Sequence, residues 1–114
     1  MRVDASDYIG QMVEVRVDRP LGSLHPEFDF VYSINYGFVP GTRAADGEEL
    51  DAYVLGPGEP LTEFVGRCIA VVHRFDDDDD KLVVVPDGRQ FSDDEIRRST
   101  QFQERYFTSG IRRT

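Results

Sequence analysis

The chain has 114 residues and a formal net charge of −9, with 39% hydrophobic and 31% charged residues. A chain of this length suits one domain, residues 1–114, burying about 65% of the surface its unfolded form exposes. Its acidic balance argues against nucleic acid as a partner and against an anionic membrane surface, since both select a basic face.

In chain order, Met1–Asp7 has no apolar core of a secretory signal, and no apolar run reaches the roughly 18 residues of a membrane span. A reduced cytoplasmic protein is the expectation. Met12–Asp18 alternates, with Val13, Val15 and Val17 set against Glu14, Arg16 and Asp18, which predicts a strand buried on one face. Further strands are predicted at Phe30–Phe38, Leu50–Leu55, Phe64–Phe75 and Lys81–Val85, all rich in valine or aromatic residues. Turn signals separate them: Pro20-Leu21-Gly22, His25-Pro26, Pro40-Gly41, Asp46-Gly47, Gly56-Pro57-Gly58 and Pro86-Asp87-Gly88. The run Cys68-Ile69-Ala70-Val71-Val72 is apolar on both faces, as a closed or curled sheet requires. Cys68, the one cysteine of the chain, reads as a small core residue. Ser92-Asp93-Asp94-Glu95 is a capping box with acidic residues in the first turn. It predicts a helix over about 92–108, with Ile96, Phe102, Tyr106 and Phe107 facing the sheet. Ser109-Gly110 is expected to end it and the last four residues to fray. The fold class is α+β and mostly β: a small OB-like closed or curled antiparallel barrel with one C-terminal helix.

Carboxylates dominate the chemistry. Asp46-Gly47-Glu48-Glu49-Leu50-Asp51 opens one strand, and Asp76–Asp80 followed by Lys81 opens another. Alternation puts Asp79 and Lys81 on one side of their strand. Two acidic turns leading into strands of one small barrel can meet across one mouth. Converging carboxylates without a Cys or His cluster select hard cations, Mg²⁺, Mn²⁺ or Ca²⁺. On composition alone, an Asp run is most simply a solvated turn. His25 and His73 read as structural. There is no P-loop, no G-x-S-x-G and no dinucleotide fingerprint, because Leu61 takes the third glycine position of Gly56–Leu61.

The stretch Tyr32-Ser33-Ile34-Asn35-Tyr36-Gly37-Phe38, then Asp46-Gly47-Glu48-Glu49-Leu50-Asp51, resembles the family I soluble inorganic pyrophosphatases. So do Asp79-Asp80-Lys81-Leu82-Val83-Val84-Val85-Pro86 and Phe102-Gln103-Glu104-Arg105-Tyr106, in the family's order. The resemblance implies the family's five-stranded OB-like barrel and Mg²⁺-dependent hydrolysis of pyrophosphate. It implies Asp46, Asp51 and Asp79 as metal ligands, with Asp76 or Asp77 at a further metal position. Glu48 falls where the family has an aspartate as general base, and Tyr36, Lys81 and Tyr106 at phosphate-supporting positions. Asp18 aligns with an active-site glutamate. The sequence also departs from the pattern: D-G-D-P becomes Asp46-Gly47-Glu48-Glu49, and the segment from Gly22 to Tyr32 is too short for the family's cationic hairpin. Arg19, His25, Arg43 and Arg105 are candidate replacement cations, Arg19 and Arg43 as substrate-binding residues. Hydrolysis of a nucleotide or organic diphosphate, or an inactive metal- or phosphate-binding paralogue, are the alternative readings. The family implies a homo-oligomer.

Overall fold

The alternation in Met12–Asp18 has its expected effect. In the computed structural model, which describes residues 4–44, 47–76 and 79–114, strand β1 (Met12–Arg19) buries Val13, Val15 and Val17 and turns Glu14, Arg16 and Asp18 outward. β1 pairs antiparallel with both β2 (Asn35–Phe38) and β4 (Glu63–Arg74). β2 continues antiparallel to β3 (Asp51–Val54), and β5 (Asp80–Val85) lies parallel to β3 and antiparallel to β4. The order β1-β2-β3-β5-β4-β1 closes a five-stranded barrel.

Both faces of the central strands are buried, for two different reasons. Ala52, Val54, Leu82 and Val84 point into the barrel with Val13, Val15 and Cys68. Their neighbours Tyr53, Val83 and Val85 point outward and are covered by helix α1 (Asp93–Glu104) through Ile96 and Phe102. On β4 a bulge at Ile69 resets the alternation, so that Cys68 faces inward while Ala70 and Val72 face the helix. Cys68 is fully buried, and burial pushes its thiol up to about 11.

The capping box forms as its sequence predicts. Ser92 Oγ accepts from Glu95 N, and Ser92 N donates to Glu95 Oε1. Those bonds hold the exposed Glu95 carboxyl below its ordinary value. The helix is shorter than the expected 92–108. Tyr106 N and Phe107 N donate to Gln103 O and Glu104 O, tightened i→i−3 bonds that end an α-helix. The tail does not fray as expected: Ser109–Arg112 forms β6 on the edge of β4, and Arg113 donates to Asp93 and to the Phe91 carbonyl. The twelve-residue β4 outruns the barrel, and its open edge supplies the pairing partner.

The expected strand Phe30–Phe38 is two pieces. Leu24 and Val31 form an isolated bridge, and the ribbon is held by Gly22 N to Tyr32 O (2.7 Å) and Tyr32 N to Ser23 O (2.9 Å). Asn35 marks the break. Fully buried, it accepts at Oδ1 from Leu21 N and Leu61 N, and donates from Nδ2 to the Glu59 carbonyl. It ties the β1–β2 and β3–β4 loops to the start of β2. Gly37 is needed where β2 crosses β1, because a Cβ there would lie 1.9 Å from the Arg16 carbonyl oxygen. Gly37→Ala is expected to destabilise the fold by about 3 kcal/mol, the upper end of overpacking costs, read as a lowered urea midpoint. Among the described residues, no helix is long and apolar enough to cross a membrane.

Candidate active site

The parallel pairing of β3 with β5 brings the two acidic turns to one end of the barrel. Asp51 opens β3 and lies in register with Lys81, the second residue of β5. Lys81, only 3% exposed, donates from Nζ to Asp51 Oδ2 at 2.6 Å and to Asp79 Oδ2 at 2.8 Å. Asp79 and Lys81 thus share a side, and two carboxylates share one ammonium. Tyr36, on β2, sits beside Asp51. Its burial, and next the Asp51 charge, hold the phenol well above its ordinary value. Burial also raises the Asp18 carboxyl, with the Asp51 charge adding to the effect.

A second cation lies alongside. Arg74, the last residue of β4, is buried and donates from Nε and Nη2 to Glu104 of α1 at 3.1 and 2.8 Å. Its Nη1 approaches Asp79 Oδ2 at 3.5 Å, and its guanidinium lies 3.6 Å over the Phe107 ring. Burial alone would lower the Arg74 pKa, but the bonds to Glu104 more than reverse this, so it stays charged. Behind the pair, Tyr53 Oη donates to Glu104 (2.5 Å), Gln103 Nε2 to Tyr53 Oη (2.8 Å) and Tyr32 Oη to Gln103 (3.1 Å). One connected network therefore runs from Tyr32 under the helix to Asp51.

Lys81, Arg74 and Tyr36 line a cavity of about 180 Å³, walled by His25, Phe28, Tyr106 and their aromatic neighbours. Of the sequence-predicted residues, Lys81, Tyr36 and Tyr106 line it, and Asp51 and Asp79 join it through Lys81. Asp46 and Asp77 lie outside the described residues. Asp76 is exposed and accepts from Thr108 N at 3.3 Å, in the turn between β4 and β5. Asp80 instead pairs with His73 Nδ1 at 2.5 Å. Glu48 is exposed on the loop before β3, where its carbonyl accepts from Ala44 N. Of the candidate replacement cations, His25 lines the cavity, whereas Arg19, Arg43 and Arg105 do not.

Arg74 is the cation that sequence reasoning missed. A signal existed: Ala70, Val72 and Arg74 share the helix-covered face of β4, and a charge at a buried position demands a partner.

The donor chemistry fits a hard divalent cation. Asp51 and Asp79 already converge on a single cationic nitrogen, and paired carboxylate oxygens are what Mg²⁺ or Mn²⁺ selects. Among the described residues, no third carboxylate or imidazole joins them. The inner cluster of Asp51, Asp79 and Glu104 against Lys81 and Arg74 is short of positive charge, with Asp18 adding to the deficit.

Comparison with known proteins gives the family and the fold. The family model described as inorganic pyrophosphatase matches residues 6–111. An inorganic pyrophosphatase of Gluconobacter oxydans is 38% identical over an alignment covering 85% of this chain and 68% of that protein. One from Saccharolobus solfataricus is 37% identical, with 63% of this chain and 41% of that protein covered. The chain thus spans between two fifths and two thirds of these relatives' length. In fold it is similar to the crystal structure of inorganic pyrophosphatase from Ehrlichia chaffeensis, with a TM-score of 0.72 at 20% identity, covering 99% and 92% of the two chains.

Proposed function

This chain belongs to the inorganic pyrophosphatase family, and from that premise we propose that it hydrolyses pyrophosphate to two orthophosphates with the help of Mg²⁺. The observation that carries the reading is the convergence of Asp51 and Asp79 on Lys81, which itself lines a cavity with Arg74 and Tyr36.

Asp51 and Asp79 would hold the cation, with Asp46 and one of Asp76 or Asp77 as the further ligands of this reading. Mn²⁺ serves as a substitute because it accepts the same oxygen donors. The divalent cation, when bound, supplies positive charge against phosphate oxygens and acidifies water. Glu48 takes the proton of the attacking water, one methylene further from the backbone than an aspartate. Lys81, which bridges those two carboxylates, would offer its charge to a phosphate in the cavity that it lines. Arg74 stays fixed by Glu104 and presents charge to the cavity without having to be ordered first, which favours the charged transition state. The buried Tyr36 phenol donates a hydrogen bond, and Tyr106 supports phosphate from the wall. Arg19 and Arg43 act, in this reading, at the approach to the mouth.

The reading takes residues 1–114 as one domain in a reduced cytoplasm, which suits the unpaired, buried Cys68. Self-association is part of it, supported by exposed Leu24, Val65 and Phe75. The test is orthophosphate release from pyrophosphate in millimolar Mg²⁺, beside a chelated control and a Mn²⁺ arm. Release in both metals and none in chelator is expected. Silence in both metals overturns the reading.

A further inference from the structure

The cavity joins two chemistries that pyrophosphate alone does not need. Its floor is cationic, from Lys81 and Arg74, and its wall is aromatic. Phe28, Phe30 and Tyr106 form a triangle of rings with centroids 5.8 to 6.3 Å apart and planes within 8 to 23° of one another. Phe28 and Tyr106 are 49% and 52% exposed. Stacked rings left half in water beside a cavity gain free energy when a planar group covers an open face. Inorganic pyrophosphate has no apolar surface to offer.

The ribbon that carries Phe28 and Phe30 is held in shape by the chain itself. His25 Nδ1 accepts from both Glu27 N and Phe28 N at 3.0 Å, which places the ring proton on Nε2. The His25 ring lies 4.9 Å from Phe28 and 4.8 Å from Phe30. The wall is therefore a built surface carrying one imidazole N–H donor. Near-parallel rings suit a planar heteroaromatic group better than a branched alkyl chain.

We propose that this site also takes a nucleoside diphosphate, its two phosphates over Lys81 and Arg74 and its base stacked on Phe28 and Tyr106. The inference rests on the hydrolytic site proposed above. Water oxygen bonds to the terminal phosphorus, and that phosphorus loses its bond to the bridging oxygen. The nucleoside monophosphate departs with the bond's electron pair, and the proton from water passes to Glu48. The products are orthophosphate and the nucleoside monophosphate.

The experiment follows adenosine diphosphate and pyrophosphate side by side in Mg²⁺, measuring orthophosphate and adenosine monophosphate, with the parent, Phe28→Ala and Phe28→Tyr. Phe28 is half-exposed, so its truncation leaves the barrel intact. Phe28→Ala is expected to lower kcat/KM for adenosine diphosphate about tenfold more than for pyrophosphate, the scale of a lost base–aromatic stack. Phe28→Tyr is expected to restore the parent value. Turnover of pyrophosphate without any of adenosine diphosphate overturns this inference alone. Equal losses on both substrates in Phe28→Ala overturn it too, since the ring would then only shape the cavity. Turnover of adenosine diphosphate without pyrophosphate supports it and removes the pyrophosphate reading. Silence on both removes both.

Discussion

Asp51→Asn is expected to release orthophosphate from pyrophosphate about 10²–10³-fold more slowly than the parent, the scale on which a lost group of a preorganised charged site is felt. The amide keeps the shape of the carboxylate and an oxygen for Lys81 Nζ, so what is removed is one negative charge. That charge is one of the two that converge on Lys81, and it is the property a hard cation requires. The Asp51 side chain is 35% exposed, so the fold has little reason to suffer, and the urea midpoint should stay near the parent's. Calorimetric titration with Mn²⁺ should show weakened binding alongside the lost rate. Asp87→Asn is the matched control: Asp87 pairs with Arg67 on the surface, away from the mouth, and its rate should match the parent's. An Asp51→Asn protein that works at the parent's rate would mean that the pair on Lys81 is only structural.

Glu104→Ala is expected to destabilise the chain by about 3–5 kcal/mol, because removing one partner of a buried ion pair strands the other. That is a large share of the roughly 5–15 kcal/mol that holds a domain folded. Two groups are stranded here. Arg74 loses its bidentate acceptor and keeps Asp79 at 3.5 Å. The buried Tyr53 hydroxyl loses the acceptor it now reaches at 2.5 Å. The double variant Arg74→Met with Glu104→Leu separates stability from function. Apolar side chains of similar volume can replace a buried pair at little cost, so its urea midpoint should recover the part due to Arg74, while the Tyr53 hydroxyl still lacks its acceptor. Its pyrophosphate turnover should not return, because Arg74 lines the cavity beside Lys81. Recovery of both would show that Arg74 serves only the fold.

The pair just discussed also shows where reading the sequence stopped. Only the alternation of Ala70, Val72 and Arg74 hints at burial of Arg74; its partner lies thirty residues further on and arrives only because α1 crosses the outer face of β4. Glu104 is silent in the sequence, an acidic residue near the end of an amphipathic helix. Arg43, a candidate replacement cation by composition, is exposed on the loop between β2 and β3. The aromatic wall is hidden for the same reason: Phe28 sits on a short ribbon and Tyr106 just past the helix, and their rings stack at 5.8 Å. The isolated bridge Leu24–Val31 was masked by aromatic residues that read as a longer strand through Phe38.

What the sequence determined by itself is everything set by neighbours a few residues apart. Alternation placed Val13, Val15 and Val17 on one face of β1, because successive side chains of a strand must point to opposite sides. Ser92 and Glu95 closed a capping box, because both partners lie within one turn. The doubly apolar Cys68–Val72 run required cover on both faces. Tertiary structure alone decided that β3 and β5 run parallel, which sets Asp51 against Lys81. It also decided that β4 continues past the barrel to recruit Ser109–Arg112, and that Arg74 meets Glu104. The physical reason is common to all three. Such contacts join distant segments through closure and packing, and the energy that selects them appears only once the barrel brings those segments together.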